Sequence, residues 1–228
     1  MNKKASHVGM VLSFVIFITF LMLLYTVLEP GISQQENKEY FLEIAQQKIV
    51  SYLNSNFTTT TIRVNEEFEM PECGEIKQII SPRENVIVKD LSEDILEASS
   101  ENTNVKIKST GSEKRFKIYS SEKFEKNSEI ETCENIEGNY EVGSTNTEQQ
   151  IFEKSILSFI EDYNKNYLEL KNKLGIGEDF GFIFERNNTE ISTNFEARST
   201  NIYSKEVPIL YIDSDANAKF GVIKIKIW

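Results

Sequence analysis

The chain has 228 residues, with 36 Asp and Glu against 25 Lys and Arg, a net charge of −11 and an isoelectric point near 4.8. An acidic surface repels polyanions, so nucleic acid is not an expected partner. The one histidine, His7, precedes the apolar run that starts at Val8, and the cysteines are two, Cys73 and Cys133, so the part of the chain after that run lacks the residues for a Ser-His-Asp or Cys-His nucleophile, a histidine-bound zinc or iron, or a four-cysteine cluster.

The first element is the stretch Val8 to Leu28, VGMVLSFVIFITFLMLLYTVL, which contains no charge. As a helix it is ~31 Å long, the thickness of a bilayer's hydrocarbon core. Lys3 and Lys4 precede it, and all 36 acidic residues follow it, beginning with Glu29. Basic flanks stay cytoplasmic, which predicts a transmembrane segment from Val8 to Leu28, an inside N-terminus and an extracytoplasmic body. A secretory signal has an apolar region of only ~7–15 residues and a small-x-small cleavage site. This run is longer and ends in Leu28-Glu29-Pro30-Gly31. That ending favours an uncleaved anchor, or cleavage ahead of the helix.

The opening MNKKASHVGMVLSFVIF resembles the class III signal peptide of archaeal pilins and archaellins, the archaeal branch of type IV pilin-like proteins. The resemblance implies a candidate processing site at Lys4-Ala5 and a freed helix that packs in a filament core. The chain departs from bacterial pilins in its polar start, Ser6-His7, and in having no glutamate in the apolar run. HVGM, the apolar run, YTVLEP and the ending EVPILYIDSDANAKFGVIKIKIW are also similar to single-pass membrane-anchored surface proteins of small-genome archaea.

After a predicted bend or break at Pro30-Gly31, the capping box Ser33-Gln34-Gln35-Glu36 starts a juxtamembrane helix whose apolar stripe is Phe41, Ile44, Ala45, Ile49, Tyr52 and Leu53. From Thr58 the pattern turns to strands: TTTTIRVN, ENVIVKD, NVKIKST and RFKIYS. A short helix is expected over 92–99 and a polar loop over 122–147. A second capping box, Thr147-Glu148-Gln149-Gln150, is read as opening a helix to Leu174 with the stripe Phe152, Ile156, Phe159, Ile160, Tyr163, Tyr167, Leu170 and Leu174, ended by Gly175 and Gly177. The strands FGFIFERN and TEISTNFEA follow, joined at Asn187-Asn188, and then NIYSKEVPILYID and AKFGVIKIKIW. Pro208 marks its strand as an edge or bulge.

The predicted class is α+β: an N-terminal transmembrane helix, then an ectodomain of mostly antiparallel strands with two main helices. The expected division is a basic head (1–7), the span (8–28), the juxtamembrane helix (29–57), a β-rich disulfide-tied region (58–147), and a helix with antiparallel strands (148–228). Cys73 and Cys133 are expected to pair, since both fall outside and no C-x-x-C occurs. Asn56 and Asn187 open N-x-Thr sequons, both read as exposed turns.

Other chemical motifs are incomplete. Asp213-Ser214-Asp215-Ala216-Asn217 begins like a calcium loop, but Ala218 and Lys224 stand where its glycine and final glutamate belong. The adjacent pairs Glu161-Asp162 and Glu178-Asp179 are the candidates for carboxylate chemistry of the glycosidase kind. No phosphate-binding glycine loop or H-E-x-x-H is present. The expectation is therefore a non-enzymatic surface protein with a structural or adhesive role, including that of a pilin-like subunit. No cofactor, metal or nucleotide is expected, and the partners are the bilayer, copies of itself or other envelope proteins. The rivals are an accessory or binding module of an envelope or secretion machine, and a carboxylate hydrolase of envelope polymers.

Overall fold

The computed structural model describes residues 3–81, 83–109, 113–195 and 201–228, with the side chains of 3–8 and 27–37 outside the description. The chain opens with α1 (Lys3–Leu53), one helix of 51 residues. It runs through Pro30 and Ser33, so the expected break and separate capping box are not there. A proline costs an interior helix ~3 kcal/mol. Burial farther along offsets this: Leu42, Ala45, Ile49 and Leu53, spaced by three and four, enter the main core. The buried stripe is turned from the expected one, with Leu42 inside and Phe41 exposed.

The helix gives way directly to β1 (Asn54–Val64), so the juxtamembrane helix stops short of the expected residue 57. β2 (Cys73–Ile76), β3 (Asn85–Lys89), β4 (Ile95–Leu96), β5 (Ala98–Glu101), β6 (Asn104–Lys108), β7 (Arg115–Ser121) and β8 (Glu134–Asn135) follow. The short helix expected over 92–99 is replaced by β4 and β5. The Asp90 carboxylate accepts the N–H groups of Ser92 and Asp94 at 2.8 and 2.9 Å, a local turn that competes with a helical start.

The expected polar loop over 122–147 is loop as far as Asn139 apart from β8, but its end belongs to β9 (Tyr140–Phe152), and α2 (Glu153–Leu174) starts after it. Thr147-Glu148-Gln149-Gln150 is thus strand, not cap. Its backbone pairs with β1, Phe57 opposite Glu148 and Asn54 opposite Ile151, and the hydroxyls of Thr58 and Thr147 meet at 2.9 Å. A long-range ladder has displaced a local capping preference. α2 buries Ile156, Phe159, Ile160, Tyr163, Leu170 and Leu174, is interrupted at Asn166, and ends at Gly175 with φ +63°.

The last strands are β10 (Phe180–Arg186), β11 (Thr189–Ser192), β12 (Tyr203–Ile212) and β13 (Ala218–Ile227). Asn187 and Asn188 both have positive φ in the two-residue turn between β10 and β11, as the sequence suggests. β10 to β13 join β1, β3, β4, β7 and β9 in a nine-stranded sheet of order β11-β10-β13-β12-β9-β1-β7-β3-β4. A second sheet has the order β5-β6-β2-β8. Pairing is antiparallel apart from two short parallel contacts, β12 with β9 and β2 with β8. The fold is therefore α+β with mostly antiparallel strands. β12 meets β9 only at Tyr211 and Ile212, so Pro208 lies where β12 has a single neighbour, β13.

Three apolar clusters fill the body. The main one packs α1 and α2 on Phe180, Phe182 and Phe184 of β10 and Ile223, Ile225 and Ile227 of β13. Gly221 is required there: a Cβ would stand 2.9 Å from the Phe184 ring and 3.0 Å from the Glu185 carbonyl oxygen. The second cluster lies between the two sheets, with Ile62, Val86, Val88, Phe116 and Ile118 against Ile76, Ala98, Val105 and Ile107. Phe57, Phe124, Phe152, Ile212 and Ala216 form a third cluster where the two halves meet.

Candidate functional site

The largest unpartnered surface is the first half of α1. From Gly9 to Thr26 none of the helix is buried within the chain, and Met10, Phe14, Ile16, Phe20, Leu23 and Tyr25 all stand exposed. This segment is long and apolar enough to cross a membrane. Both of its threonines are satisfied internally: the Thr19 hydroxyl donates to the Ile16 carbonyl at 2.9 Å and Thr26 to Leu23 at 3.0 Å. An exposed apolar face of this length calls for a covering of lipid or protein. The side chains of Val8, Leu28, Lys4 and Ala5 lie outside the described residues.

Lys38 pairs with Glu178 at 2.7 Å. Lys48 donates to the Gly175 carbonyl at 2.6 Å, and Glu43 meets Lys205 at 3.6 Å. The second half of α1 is thus fixed into the body by apolar and polar contacts alike.

Cys73 and Cys133 form a disulfide with Cα atoms 4.8 Å apart. It ties the start of β2 to the segment leading into β8, beside the Gly74–Glu134 pairing. Asn187 is exposed in its turn. Asn56 is exposed too, but within β1, where Gln149 donates to its side-chain oxygen. Its sequon marks a strand because β1 is built largely of threonines, which suit extended backbone as well as turns.

The acidic candidates are drawn into separate roles. Glu161 pairs with Lys165 and Glu178 with Lys38. Asp179 accepts from Lys171 at 2.6 Å and from the Tyr167 hydroxyl at 2.9 Å. Asp213 is buried in the turn between β12 and β13. Its carboxylate accepts the N–H groups of Asp215 and Asn217 at 2.9 and 2.8 Å, the Asn217 side-chain amide at 3.3 Å and the Lys219 ammonium at 2.6 Å. Burial opposes its ionisation, but the Lys219 ammonium and these N–H groups outweigh burial and hold the carboxyl below the usual range. Asp213 thus braces its own turn. Among the described residues no group of three or more His, Cys, Asp and Glu is placed to hold a metal ion.

A groove of about 980 Å³ runs past the interruption of α2 at Asn166, lined by Tyr167, Asp179, Asn194, Phe195 and Trp228. Phe195 and Trp228 stack with centroids 5.6 Å apart, and the Lys226 ammonium lies 5.3 Å over the Phe195 ring. Aromatic faces beside amides and a carboxylate suit weak contact with polar partners. The sequence gives little sign of this groove, because its walls come from α2, the start of β10, the segment after β11 and the end of β13.

No family model matches the chain, and neither a curated protein nor a solved structure matches it.

Proposed function

We propose that the protein is a membrane-anchored, extracytoplasmic surface protein with a structural or adhesive role, working as a pilin-like subunit. In this reading the N-terminus is cytoplasmic and the β-rich body lies outside. Lys3 and Lys4 ahead of an acidic body support that orientation, and the Cys73–Cys133 disulfide suits an oxidising compartment. The observation that carries the subunit reading is the division of α1. Its second half is part of the body's core, while the half from Gly9 to Thr26 is uncovered. A plain anchor needs no rigid connection to its domain. A subunit whose helix passes from lipid into a filament core does, because the position of each body is then set by its helix.

A second reading, a membrane-bound accessory module, draws on the groove at Phe195 and Trp228. The carboxylate hydrolase has less behind it, since Glu161, Glu178 and Asp179 are each held by a lysine.

The discriminating experiment combines N-terminal sequencing of the mature protein with shearing of the cell surface. A subunit is expected to begin at Ala5 and to appear in the sheared fraction. Replacing Val8 to Leu28 with polyleucine of equal length should leave it in the membrane and remove it from that fraction. A mature protein that begins at Met1 and never shears off would make the helix a plain anchor.

A further inference from the structure

The buried polar groups of the body contain one arrangement that neither the fold nor the anchor explains. Lys89, at the end of β3, is only 2% exposed. Among the described residues no carboxylate pairs with its ammonium. Its hydrogen bond goes to the side-chain oxygen of Asn217 at 2.7 Å, and the Tyr119 ring lies 5.5 Å away. That ring stacks on Phe57 in the third apolar cluster. A charge taken out of water without a counter-charge is costly. On the other side of the same amide, the Asn217 nitrogen donates to the Asp213 carboxylate at 3.3 Å. Asp213 is itself only 4% exposed. A buried amine, a primary amide and a buried carboxylate thus stand in line, from two segments 128 residues apart in sequence.

We propose that Lys89 and Asn217 condense into an intramolecular amide bond, with Asp213 as the base that moves the proton. The Lys89 ammonium gives up a proton to water at the exposed side of Asn217, and its nitrogen lone pair attacks the Asn217 side-chain carbonyl carbon. A tetrahedral adduct forms. Asp213, which already holds the amide nitrogen at 3.3 Å, takes a second proton from the attacking nitrogen and passes it to the departing one, the bond from that carbon to the amide nitrogen breaks, and the released ammonia takes up the first proton. An ammonium and a primary amide become a secondary amide and a free ammonium ion, so atoms and charge balance without an oxidant or co-reactant. Lys219, which pairs with Asp213 at 2.6 Å, and the N–H groups of the turn hold this carboxylate in place against the amide. Asn217 is exposed on its outer side, which gives the ammonium ion a way out.

The product replaces an unpaired buried charge with a neutral amide. It also joins parts of the molecule that are otherwise weakly connected. β3 belongs to the sheet-on-sheet half, whereas Asn217 belongs to the turn of the β12–β13 hairpin. In the large sheet that hairpin meets β9 through two residue pairs only. A covalent bond at this place would carry load between the halves of the body after reduction of the Cys73–Cys133 disulfide.

The test is peptide mapping of the reduced, alkylated full-length protein, purified from its own membrane and digested with trypsin. The expected result is one branched peptide containing Lys89 and Asn217, lighter than its two linear parts by one ammonia and uncut after Lys89. Asn217→Ala and Asp213→Asn should abolish it. If the wild-type protein instead yields only the two linear peptides, with cleavage after Lys89 and an intact Asn217, the bond does not form and the proposal is overturned. The wild-type result decides the matter by itself, independently of filament assembly and of whether either variant folds.

Discussion

At the scale of single residues, burial decides which polar groups matter. Tyr163 is 4% exposed, and its hydroxyl donates to the Phe180 carbonyl at 2.5 Å, where α2 crosses the start of β10. Burial pushes its phenol up to about 12. As pH rises past the ordinary value of about 10, the unfolded chain loses this proton while the folded chain keeps it, so stability falls until the folded phenol also ionises. The expected loss from Tyr163 is about 1 kcal/mol at about pH 11. Urea unfolding near neutrality and near that pH should show a smaller alkaline loss for Tyr163→Phe than for the parent. Equal losses would mean that Tyr163 does not carry the effect. A 3.6-residue stripe makes the burial of Tyr163 legible in the sequence. The carbonyl it reaches belongs to another element and is not legible.

At the scale of elements, the periodic signals hold where an element buries a face and fail where another strand claims the backbone. The stripe of α2 is a case of the first kind. Ile156 is fully buried between α1 and the β10–β13 strands, while its neighbour Leu157 is partly exposed. Ile156→Asp is expected to destabilise by about 3–5 kcal/mol, because an unpaired carboxylate enters an apolar core. Leu157→Asp should cost less than about 1 kcal/mol. Thermal unfolding of the two variants checks this, and similar melting curves would place the helix face wrongly. The residues from Thr147 to Gln150 are the second kind. Their local sequence suits a helix start, yet β1 offers them a ladder of backbone hydrogen bonds. Such competition depends on a partner some ninety residues away and leaves no local trace.

At the scale of the whole molecule, α1 belongs to two environments. Leu42, Ala45, Ile49 and Leu53 are as much core as the strands they cover, whereas none of Gly9 to Thr26 is buried within the chain. A version of the protein beginning at Lys38 is therefore expected to be soluble without detergent and to unfold cooperatively. A version beginning at Asn54 should lack a cooperative transition, because removing the helix strips Leu42, Ala45, Ile49 and Leu53 from the main core and uncovers part of β13 and β12. Circular dichroism melts of the two decide the matter. A cooperative melt from the shorter one would show that α1 is an appendage and would remove the main support for the subunit reading.

The sequence by itself determined the features set by composition and short-range pattern: the apolar run, its basic lead, the α+β class, the α2 stripe, the Asn187-Asn188 turn and the alternation in β13. Each rests on residues within a few positions of one another, where helix and strand geometry translate directly into spacing. The tertiary structure decided what depends on distant pairing. It kept α1 helical through Pro30, since burial of its second half offsets a missing hydrogen bond. It turned the segment before α2 into a strand, since β1 lay alongside. It also brought Lys89, Asn217 and Asp213 together, because the end of β3 meets the turn between β12 and β13.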